Sequence, residues 1–424
     1  MRLCVLILLV LVAAGPRLTV TDVGAAHDAR HVEFRGVAAG AFDPRHWDDA
    51  GLLHFVPDVR SPLLAPREGG KFRNIYAPSV VRVGDGWHVY YGGWDGEPTG
   101  NDRIYRVDAD REFLAFENRR TVIEHGDFQH LCNVNVTPAA RGRGFAMACT
   151  AYPAADGLNK PVVFFGDDDN GAKWNADAAR REHLVTLDGY DGFAAADING
   201  MNVLLAEDGK YRLYFNNFRD AGKTFRASSD DGRRFRFDGV VHEPSAIVND
   251  VKRVDLTGGG GGNWYLMALH RNGPSLYYAM SRDGTRFGEM KTLATHGGEA
   301  DRHIVSVGWV VDGSRVLGFF YGGGDAASLD RNRIFARWLQ RKVSIGDLAG
   351  VAGSAASLGP DRQLLPLASA VTAAVALRDE AGALIATSDP VELKPGRAYR
   401  LDPPPAPAET RAAPSAAGRE ATPR

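Results

Sequence analysis

The sequence is poor in cysteine, in net charge and in long hydrophobic runs. Its 424 residues include only three cysteines, too few for a disulfide-dense scaffold, and no zinc-ligand spacing is evident. The 50 basic and 52 acidic residues give a net charge of −2, which provides no general attraction for nucleic acid. The sequence also lacks a Gly-rich phosphate loop and a serine nucleophile elbow. We therefore predict no metal site from ligand spacing and no nucleic-acid partner.

One hydrophobic run is present, at the N-terminus. Arg2 precedes an apolar stretch from Leu3 to Ala14, which is the pattern of a signal peptide and is short for a membrane span. We predict a signal segment within residues 1–26, with cleavage after Ala14 fitting the small residues there; an uncleaved anchor is the alternative. Export would place the chain in the periplasm or outside the cell. No other segment is long enough to span a bilayer, so no membrane span is expected after cleavage.

The two remaining cysteines occur in one segment. Cys132 and Cys149 lie at equal distances from the turn of a predicted hairpin, "CNVNVTPAARGRGFAMAC", so they would face each other across its two strands. An oxidising compartment would then allow a disulfide. The alternative is a pair of buried thiols.

Glycine and aromatic residues are abundant, with 49 Gly, 20 Phe, 13 Tyr and 7 Trp. This composition favours many tight turns between aromatic strands. One strand pattern recurs five times, as "GWHVYYGGW" from residue 86, "GFAMACTAY" from 144, "GKYRLYFNNF" from 209, "NWYLMALH" from 263 and "SRVLGFFYGG" from 314. An apolar strand precedes each copy and a third strand follows it, so the repeating unit is an antiparallel sheet.

The spacing of the copies indicates the architecture. The copies start 58, 65, 54 and 51 residues apart, which is enough for four strands with loops and too long for helix-pair repeats. We predict an all-β chain with a five-bladed β-propeller over residues 31–345; a β-helix, which needs shorter and more uniform coils, is the alternative. Alternating strands predict a small C-terminal β appendage over 346–402, and the Pro/Ala-rich residues 403–424 are predicted to be disordered.

The repeat also predicts where chemistry could occur. In a propeller the innermost strands of all blades begin around one central channel, so polar residues at equivalent positions converge there. Aligning the Asp-Gly turns of three blades places Asn74, Asp197 and Asp301 at one equivalent position. The corresponding polar residues of the other two blades are Asp250 in the fourth and His130, Asn133 and Asn135 in the second.

Several carboxylates around one cavity shift one another's pKa values, so that one can remain a proton donor while another is an ionised base. This arrangement suits hydrolysis of a glycosidic bond. The catalytic candidates are Asp197, Asp250, Asp301 and His303. The alternative for each Asp is a structural cap on a nearby turn, and for His303 it is a satisfied channel residue.

Other residues near the same strand ends are candidates for binding a sugar. Aromatic side chains can stack on the C–H faces of sugar rings, and polar side chains can bind the hydroxyl groups. The substrate-binding candidates are Asn74, Tyr76, Trp94, Asn135, Asn199, Arg253 and Trp309. For the aromatic residues the alternative is packing between blades, and for Arg253 it is an ion pair with a neighbouring acid.

The blade repeat resembles a known superfamily. The segments "YAPSVVRVGDGWHVYYGGW", "DRIYRV" and "SRDGTRF" are similar to the five-bladed propeller glycoside hydrolases, which include the family 43 arabinanases and xylosidases, the invertases and levansucrases of families 32 and 68, and family 117. The similarity covers about residues 70–343. It implies an Asp base or nucleophile in the first blade, a second Asp that tunes pKa values, and an acid in a later blade. It allows a calcium ion in the channel, although no cofactor is required.

The match to the family 43 motif is incomplete. The first-blade Asp-Pro-Ser of that family stands here as Ala77-Pro78-Ser79. Asp250 stands where a Glu is expected, unless Glu243 takes that role. In an arrangement like that of family 117, His303 would be considered as the acid.

These observations predict an exported glycoside hydrolase that cleaves a polysaccharide or oligosaccharide with carboxylates of the channel. The first alternative is a noncatalytic propeller that binds carbohydrate or assembles an envelope polysaccharide. A second alternative, a protein-interaction propeller, would present a large apolar patch on a blade face.

Overall fold

The computed structural model describes residues 16–68, 73–96, 101–153, 157–166, 169–256, 262–326, 331–346 and 353–405. Residues 1–15 of the predicted signal segment and residues 406–424 of the predicted disordered tail lie outside the described residues. The chain is almost entirely β, as the repeat predicts. Helical structure in the described part includes α1 (Pro44–Trp47) and 3-10 turns at Ala50–Leu52 and Arg181–His183.

The strands form one sheet for each copy of the repeat. Three strands precede the first copy: β1 (Thr19–Ala25), β2 (His31–Arg35) and β3 (Phe55–Pro57). Blade I contains β4 (Asn74–Val83), β5 (Gly86–Trp94), β6 (Arg103–Ala109) and β7 (Phe116–Ile123). Blade II contains β8 (His130–Pro138), β9 (Phe145–Tyr152) and β10 (Lys160–Phe165).

The other three blades are also antiparallel, apart from one parallel pairing at the outer edge of blade III. Blade III contains β11 (Thr186–Asp188), β12 (Val203–Glu207), β13 (Lys210–Phe215), β14 (Thr224–Ser229) and β15 (Arg234–His242). Blade IV contains β16 (Ile247–Asp255), β17 (Asn263–His270), β18 (Ser275–Ser281) and β19 (Lys291–Thr295). Blade V contains β20 (His303–Asp312), β21 (Arg315–Gly324), β22 (Arg333–Leu339) and, as its outermost strand, β3.

The innermost strands close a ring. Strands β4, β8, β12, β16 and β20 pack against one another in that order, and β20 packs against β4 again. The outermost strand of blade V is β3, whose residues Phe55–Pro57 pair antiparallel with Arg337–Leu339 of β22. The fifth blade is thus completed by a strand from the N-terminal side of the first blade. The predicted five-bladed β-propeller is confirmed.

Apolar side chains fill the space between neighbouring blades. A separate cluster of buried residues occupies each of the five junctions. Trp309, for example, is fully buried between blades IV and V, where its ring lies edge-on to Trp47 and Phe319. The alternating, aromatic-rich strands of the repeat form these layers because each sheet is covered on both faces.

Most innermost strands bulge near their start. Shifts of register interrupt the pairing at Tyr76/Ser79 in β4, Cys132/Asn135 in β8, Val248/Asp250 in β16 and Val305/Val307 in β20. Three of the extra residues adopt a positive φ, namely Ala77 at 53°, Asn133 at 55° and Ser306 at 57°. A bulge changes the direction of the side chains around it. Here those side chains include residues that form hydrogen bonds between neighbouring blades.

One side chain at each junction accepts a hydrogen bond from a backbone N–H of the next innermost strand; we call these side chains the interblade acceptors. They bind over 2.8–3.0 Å: Ser79 to Val136, Asn135 to Leu204, Asn216 to Val248, Asp250 to Trp309 and Ser306 to Ala77. A buried N–H without a partner would cost free energy, so these contacts stabilise the ring.

The C-terminal appendage combines strands from both ends of the described chain. Its C-terminal strands are β23 (Lys342–Ile345), β24 (Ala356–Ser357), β25 (Arg362–Pro366), β26 (Val371–Ala373), β27 (Val375–Arg378), β28 (Leu384–Thr387), β29 (Val391–Leu393) and β30 (Arg397–Asp402). The largest appendage sheet has the order β1-β30-β2-β25-β24. Its core includes Val32 and Phe34 of β2 together with Leu401 of β30.

This pairing moves the domain limits expected from the sequence. Strand β2 lies inside the predicted propeller range of 31–345, yet it pairs with β25 and β30 of the appendage. Strand β1 lies inside the predicted signal segment of 1–26, yet it pairs with β30 along its whole length. A cut after Ala14 would leave β1 intact, whereas a cut at residue 26 would remove it.

The described part of the chain contains no helix of the length and apolarity needed to cross a membrane. Cys132 and Cys149 are both free and buried. The bulge in β8 places Cys132 opposite Thr150 and not opposite Cys149, so the symmetric hairpin register that favoured a disulfide does not form. Burial raises the pKa of both thiols above the ordinary value.

Candidate active site

The innermost strands all begin at one end of the propeller, which we call the strand-start end. Their first residues are Asn74, His130, Val203, Ile247 and His303. The sequence prediction that polar residues gather at these strand starts is therefore met by Asn74, His130 and His303. Within the described residues, Oδ1 of the buried Asn74 side chain and Nδ1 of His303 have no hydrogen-bond partner, and both atoms are shielded from solvent.

A partly buried acid lies at the strand-start end of the junction between blades I and II. Asp102 directly precedes β6, and its Oδ2 accepts a hydrogen bond of 2.6 Å from the Tyr76 hydroxyl. Nδ1 of His130 lies 3.9 Å from the same oxygen, and the Asp102 side chain is only 18% exposed. The His130 ring stacks on Tyr152 with 6.2 Å between centroids. We call these four residues the Asp102 cluster.

Burial raises the pKa of Asp102 above its ordinary value, because desolvation disfavours the ionised carboxylate. The hydrogen bond from Tyr76 and the positive charge of nearby groups oppose this rise, but they do not cancel it. Burial also raises the pKa of Tyr76, so the Tyr76 hydroxyl remains a hydrogen-bond donor. A raised pKa favours the protonated carboxyl, which is the form that a general acid needs.

Sequence reasoning named Tyr76 and His130 but missed Asp102. The alignment compared the starts of the innermost strands, whereas Asp102 stands at the start of a third strand. A signal was present, since "DRIYRV" is the one third-strand segment of the five that begins with an acid; the others begin with Lys, Lys, Pro and Asn. Comparing the third strands in the same way would have singled out Asp102.

Asp250 lies in the channel, but protein groups occupy its carboxylate. Its Oδ1 accepts a hydrogen bond of 2.9 Å from Asn135 and lies 3.2 Å from Nζ of Lys252. Its Oδ2 accepts the Trp309 backbone N–H at 2.9 Å. Both Asp250 and Asn135 are interblade acceptors and are almost completely buried. These contacts favour a structural role for the pair over the catalytic and substrate-binding roles expected from the sequence.

Asp301 is likewise engaged by the protein. Its carboxylate accepts backbone hydrogen bonds from Gly297 and Gly298 at 2.8–2.9 Å and a 2.8 Å bond from the Tyr321 hydroxyl. Arg337 lies 3.9 Å away. This is the turn-capping arrangement that was the alternative for each Asp, because the carboxylate accepts the N–H groups of the short loop before β20.

Asp197 differs from the other two predicted acids. Its Oδ1 accepts hydrogen bonds from the backbone and side chain of Asn159 at 3.0 and 2.7 Å. No hydrogen bond to its Oδ2 occurs within the described residues, and the residue is only partly buried. Asn199, two residues later, uses its Oδ1 to cap the Gly200 N–H. Asp197 is thus the predicted acid that keeps an oxygen for a ligand.

The remaining predicted sugar-binding residues lie in three different surroundings. Trp94 ends β5 beside Asn74, with the Arg73 guanidinium 4.4 Å from its ring centroid. Trp309 is buried between blades IV and V, so it packs the core and cannot stack on a sugar. Arg253 lies near the other end of β16, where it pairs with Glu207 and Asp255. Trp309 and Arg253 therefore have the structural roles given as alternatives, packing between blades and ion pairing.

Within the described ranges, no group of three His, Cys, Asp or Glu side chains is placed to hold a metal ion. The buried Asp250 already accepts from an ammonium group and two N–H donors, which is not a ligand set for a hard cation. The calcium ion that the resemblance allows stays a prediction.

Comparisons with known proteins concern the fold. No protein-family profile matches the chain, and no curated protein sequence is significantly similar to it. Among solved structures, a protein of the GH130 family of mannoside phosphorylases, which contains glycoside hydrolases that target β-1,2 mannosidic linkages in Candida mannan, shares 14% identity over 67% of this chain and 93% of its own, with a TM-score of 0.49.

Two arabinofuranosidases are similar to a comparable degree. The catalytic domain of the GH62 α-L-arabinofuranosidase of Coprinopsis cinerea is 14% identical over 68% of this chain and 97% of its own, with a TM-score of 0.48. The α-L-arabinofuranosidase of Podospora anserina is 12% identical over 67% and 96%, with a TM-score of 0.45. Each likeness concerns overall architecture alone, and the pairing of the chain's own strands carries the assignment of a five-bladed β-propeller.

Proposed function

We propose that this protein is an exported glycoside hydrolase whose active site lies at the strand-start end, with Asp102 as the proton donor. The observation that carries the proposal is the Asp102 cluster, in which Tyr76 holds a partly buried carboxyl with a raised pKa beside the first residue of β8. The resemblance of the blade sequences to five-bladed glycoside hydrolases supports the same reaction. Export rests on the apolar run from Leu3 to Ala14.

The chemistry requires two groups with opposite proton affinities. Asp102 would give its proton to the glycosidic oxygen while the bond from that oxygen to the anomeric carbon breaks. Asp197, with its free Oδ2, is our assignment for the ionised partner that takes a proton from the attacking water, whose oxygen forms the new bond to the anomeric carbon. Tyr76 and His130 would position Asp102, and Asn74 and His303 would bind sugar hydroxyl groups.

The test is hydrolysis by the full chain of a panel of plant, algal and bacterial polysaccharides and their oligosaccharides, with released sugars separated by chromatography. Asp102→Asn and Asp197→Asn should each lower kcat by roughly 10²–10⁴-fold, the usual contribution of a general acid or base. Asp85→Asn is the matched control, since Asp85 is exposed in the turn between β4 and β5, and it should keep wild-type activity.

The pH profile provides a second test. Because Asp102 acts while protonated, kcat/KM should fall as pH rises through its raised pKa, and this alkaline decline should be absent from the residual activity of Asp102→Asn. Activity that survives in Asp102→Asn with an unchanged profile would refute the assignment. Glycan binding without any released sugar would favour the noncatalytic propeller, an alternative supported by Ala77 at the first-blade position and by the occupied carboxylates of Asp250 and Asp301.

A further inference from the structure

A cavity lies at the strand-start end, between blades III and IV. Its volume is about 530 Å³, within the range of roughly 300–1,000 Å³ that is typical of small-molecule sites. It adjoins Ile247, the first residue of β16, and Asn216, which follows β13. None of the catalytic candidates lines it. We call it the side pocket.

The carboxamides that line the side pocket are already satisfied by the protein. Asn216 donates to the Lys223 carbonyl at 2.7 Å and accepts the Val248 N–H at 2.8 Å. Asn217 accepts the backbone N–H groups of Asp197 and Arg219 at 3.0 Å and donates to Tyr190 at 2.9 Å. Both residues therefore shape the walls and do not supply free groups to a ligand.

Arg271 brings an uncompensated positive charge. Its Nε donates to the Ser245 carbonyl at 3.2 Å and its Nη2 donates to the Pro244 carbonyl at 2.7 Å. Neither partner is a carboxylate, and no ion pair to Arg271 occurs within the described residues. No acid lines the side pocket. The guanidinium has five N–H donors, so those that remain can bind an anion in the forked geometry suited to carboxylate or sulfate.

The rest of the lining is neutral or aromatic. Burial lowers the pKa of His270 to about 4, so that imidazole is uncharged at neutral pH. Ser245 is exposed, holds a positive φ of 52° and makes no side-chain hydrogen bond within the described residues. Strain of this kind is maintained where the surrounding structure fixes a residue. Phe218 is 42% exposed, and its ring is therefore accessible to a flat apolar surface.

We propose that the side pocket binds an anionic sugar residue, carboxylated or sulfated, with the acid group on Arg271 and Ser245 and the sugar ring on Phe218. The single cation, the absence of acids from the lining and the exposed aromatic ring together select this ligand over a neutral sugar or a cation. The inference rests on the proposed function only in that the ligand is a glycan. It gives the propeller a preference for acidic polysaccharides that is independent of bond cleavage.

The test measures binding by calorimetry to three sets of oligosaccharides: oligogalacturonides, their methyl esters and sulfated galactan fragments. The protein is the full chain carrying Asp102→Asn, so that turnover does not consume the ligand. We expect one acidic set to bind and the matched neutral set to bind at least tenfold more weakly. Affinity for the acidic set should fall as salt rises, because the contact is between exposed charges.

Two substitutions locate the site. Arg271→Gln and Phe218→Ala should each weaken acidic binding by at least tenfold. Arg282→Gln is the matched control, because Arg282 is an exposed arginine of blade IV that packs over Trp264 outside the pocket, and it should bind as the parent does. Thermal melts of all variants should coincide, since the replaced side chains are exposed.

Equal affinity for acidic and neutral sets, absence of binding to both acidic sets, or unchanged binding in Arg271→Gln would each overturn the proposal. Acidic binding together with no hydrolysis by the wild type would refute the hydrolase and leave the side pocket standing. Hydrolysis of neutral glycans without binding of the acidic oligosaccharides would support the hydrolase and refute the side-pocket proposal.

Discussion

The contacts of Asp250 predict a large effect on stability. Replacing it with Ala would leave three groups without their partner: the Asn135 amide, the Trp309 N–H and the Lys252 ammonium group. Removing one member of a buried ion pair typically costs about 3–5 kcal/mol, and each orphaned neutral donor adds to the cost. We therefore expect Asp250→Ala to lower the free energy of unfolding by about 4 kcal/mol or more.

The assay is equilibrium unfolding in urea, followed by tryptophan fluorescence. With a slope of about 3 kcal/mol per M, as expected for a large chain, the midpoint of Asp250→Ala should fall by more than about 1 M. Asp255→Ala is the control, because Asp255 is an exposed residue of the same strand that pairs with exposed Arg253; its change should stay within about 0.5 kcal/mol. Lys252→Met in the Asp250→Asn background should restore part of the loss, since it removes the unpaired cation.

A destabilisation below about 1 kcal/mol would refute the role of Asp250 in linking the blades. If Asp250→Asn instead kept full stability and lost all hydrolysis, the acid would belong to the catalytic machinery after all. The two readings therefore predict opposite combinations of stability and activity.

Three further predictions concern other parts of the molecule. Burial lowers the pKa of His270 in the folded protein from 6.5 to about 4, so between these pH values the unfolded state binds a proton that the folded state does not. The free energy of unfolding should therefore decrease by about 3 kcal/mol from pH 6.5 to pH 4. His270→Gln should weaken this pH dependence in urea titrations, and an unchanged pH dependence would contradict the prediction. Cys132 and Cys149 are buried with raised pKa values, so a thiol reagent should label them in urea and far more slowly in the native protein; rapid native labelling would count against their burial. The mature chain should retain β1, so its intact mass should place the N-terminus before Thr19; a start after residue 26 would show that the appendage sheet lacks this strand.

The sequence was sufficient to predict the propeller because its five copies each carry the complete pattern of a blade. The boundaries of the domains were harder to predict from the sequence. Strand β1 pairs with β30, and β2 pairs with β25 and β30, more than 300 residues away. Pairing over such a distance leaves no local pattern of residues, so both strands were assigned to the segments that adjoin them in the chain.

The candidate active site was also only partly predictable from the sequence. Asn135 and Asp250 both lie on innermost strands, but alignment of the repeat gives the position of a side chain and not its partners. Asp102 was missed because only the innermost strands were compared; its contact with the neighbouring innermost strand, where its carbonyl accepts the Leu131 N–H at 3.0 Å, has no counterpart in the sequence repeat. Such lateral contacts between blades depend on the folded ring and cannot be deduced from the spacing of strands.

Because β3 pairs with β22, the ring can close only late during synthesis of the chain. Pro57 leaves the ribosome some 280 residues before its partner Arg337. At about 5–20 residues per second, β3 waits roughly 15–55 s without the strand that covers it, while the earlier blades are already available to fold. The last blade cannot be completed until that delayed partner arrives, so closing the ring is a late event that couples the two ends of the propeller. A chain rearranged to begin at blade I and to carry β3 after β22 would place both partners side by side, and it would acquire its closed ring without that interval of exposure.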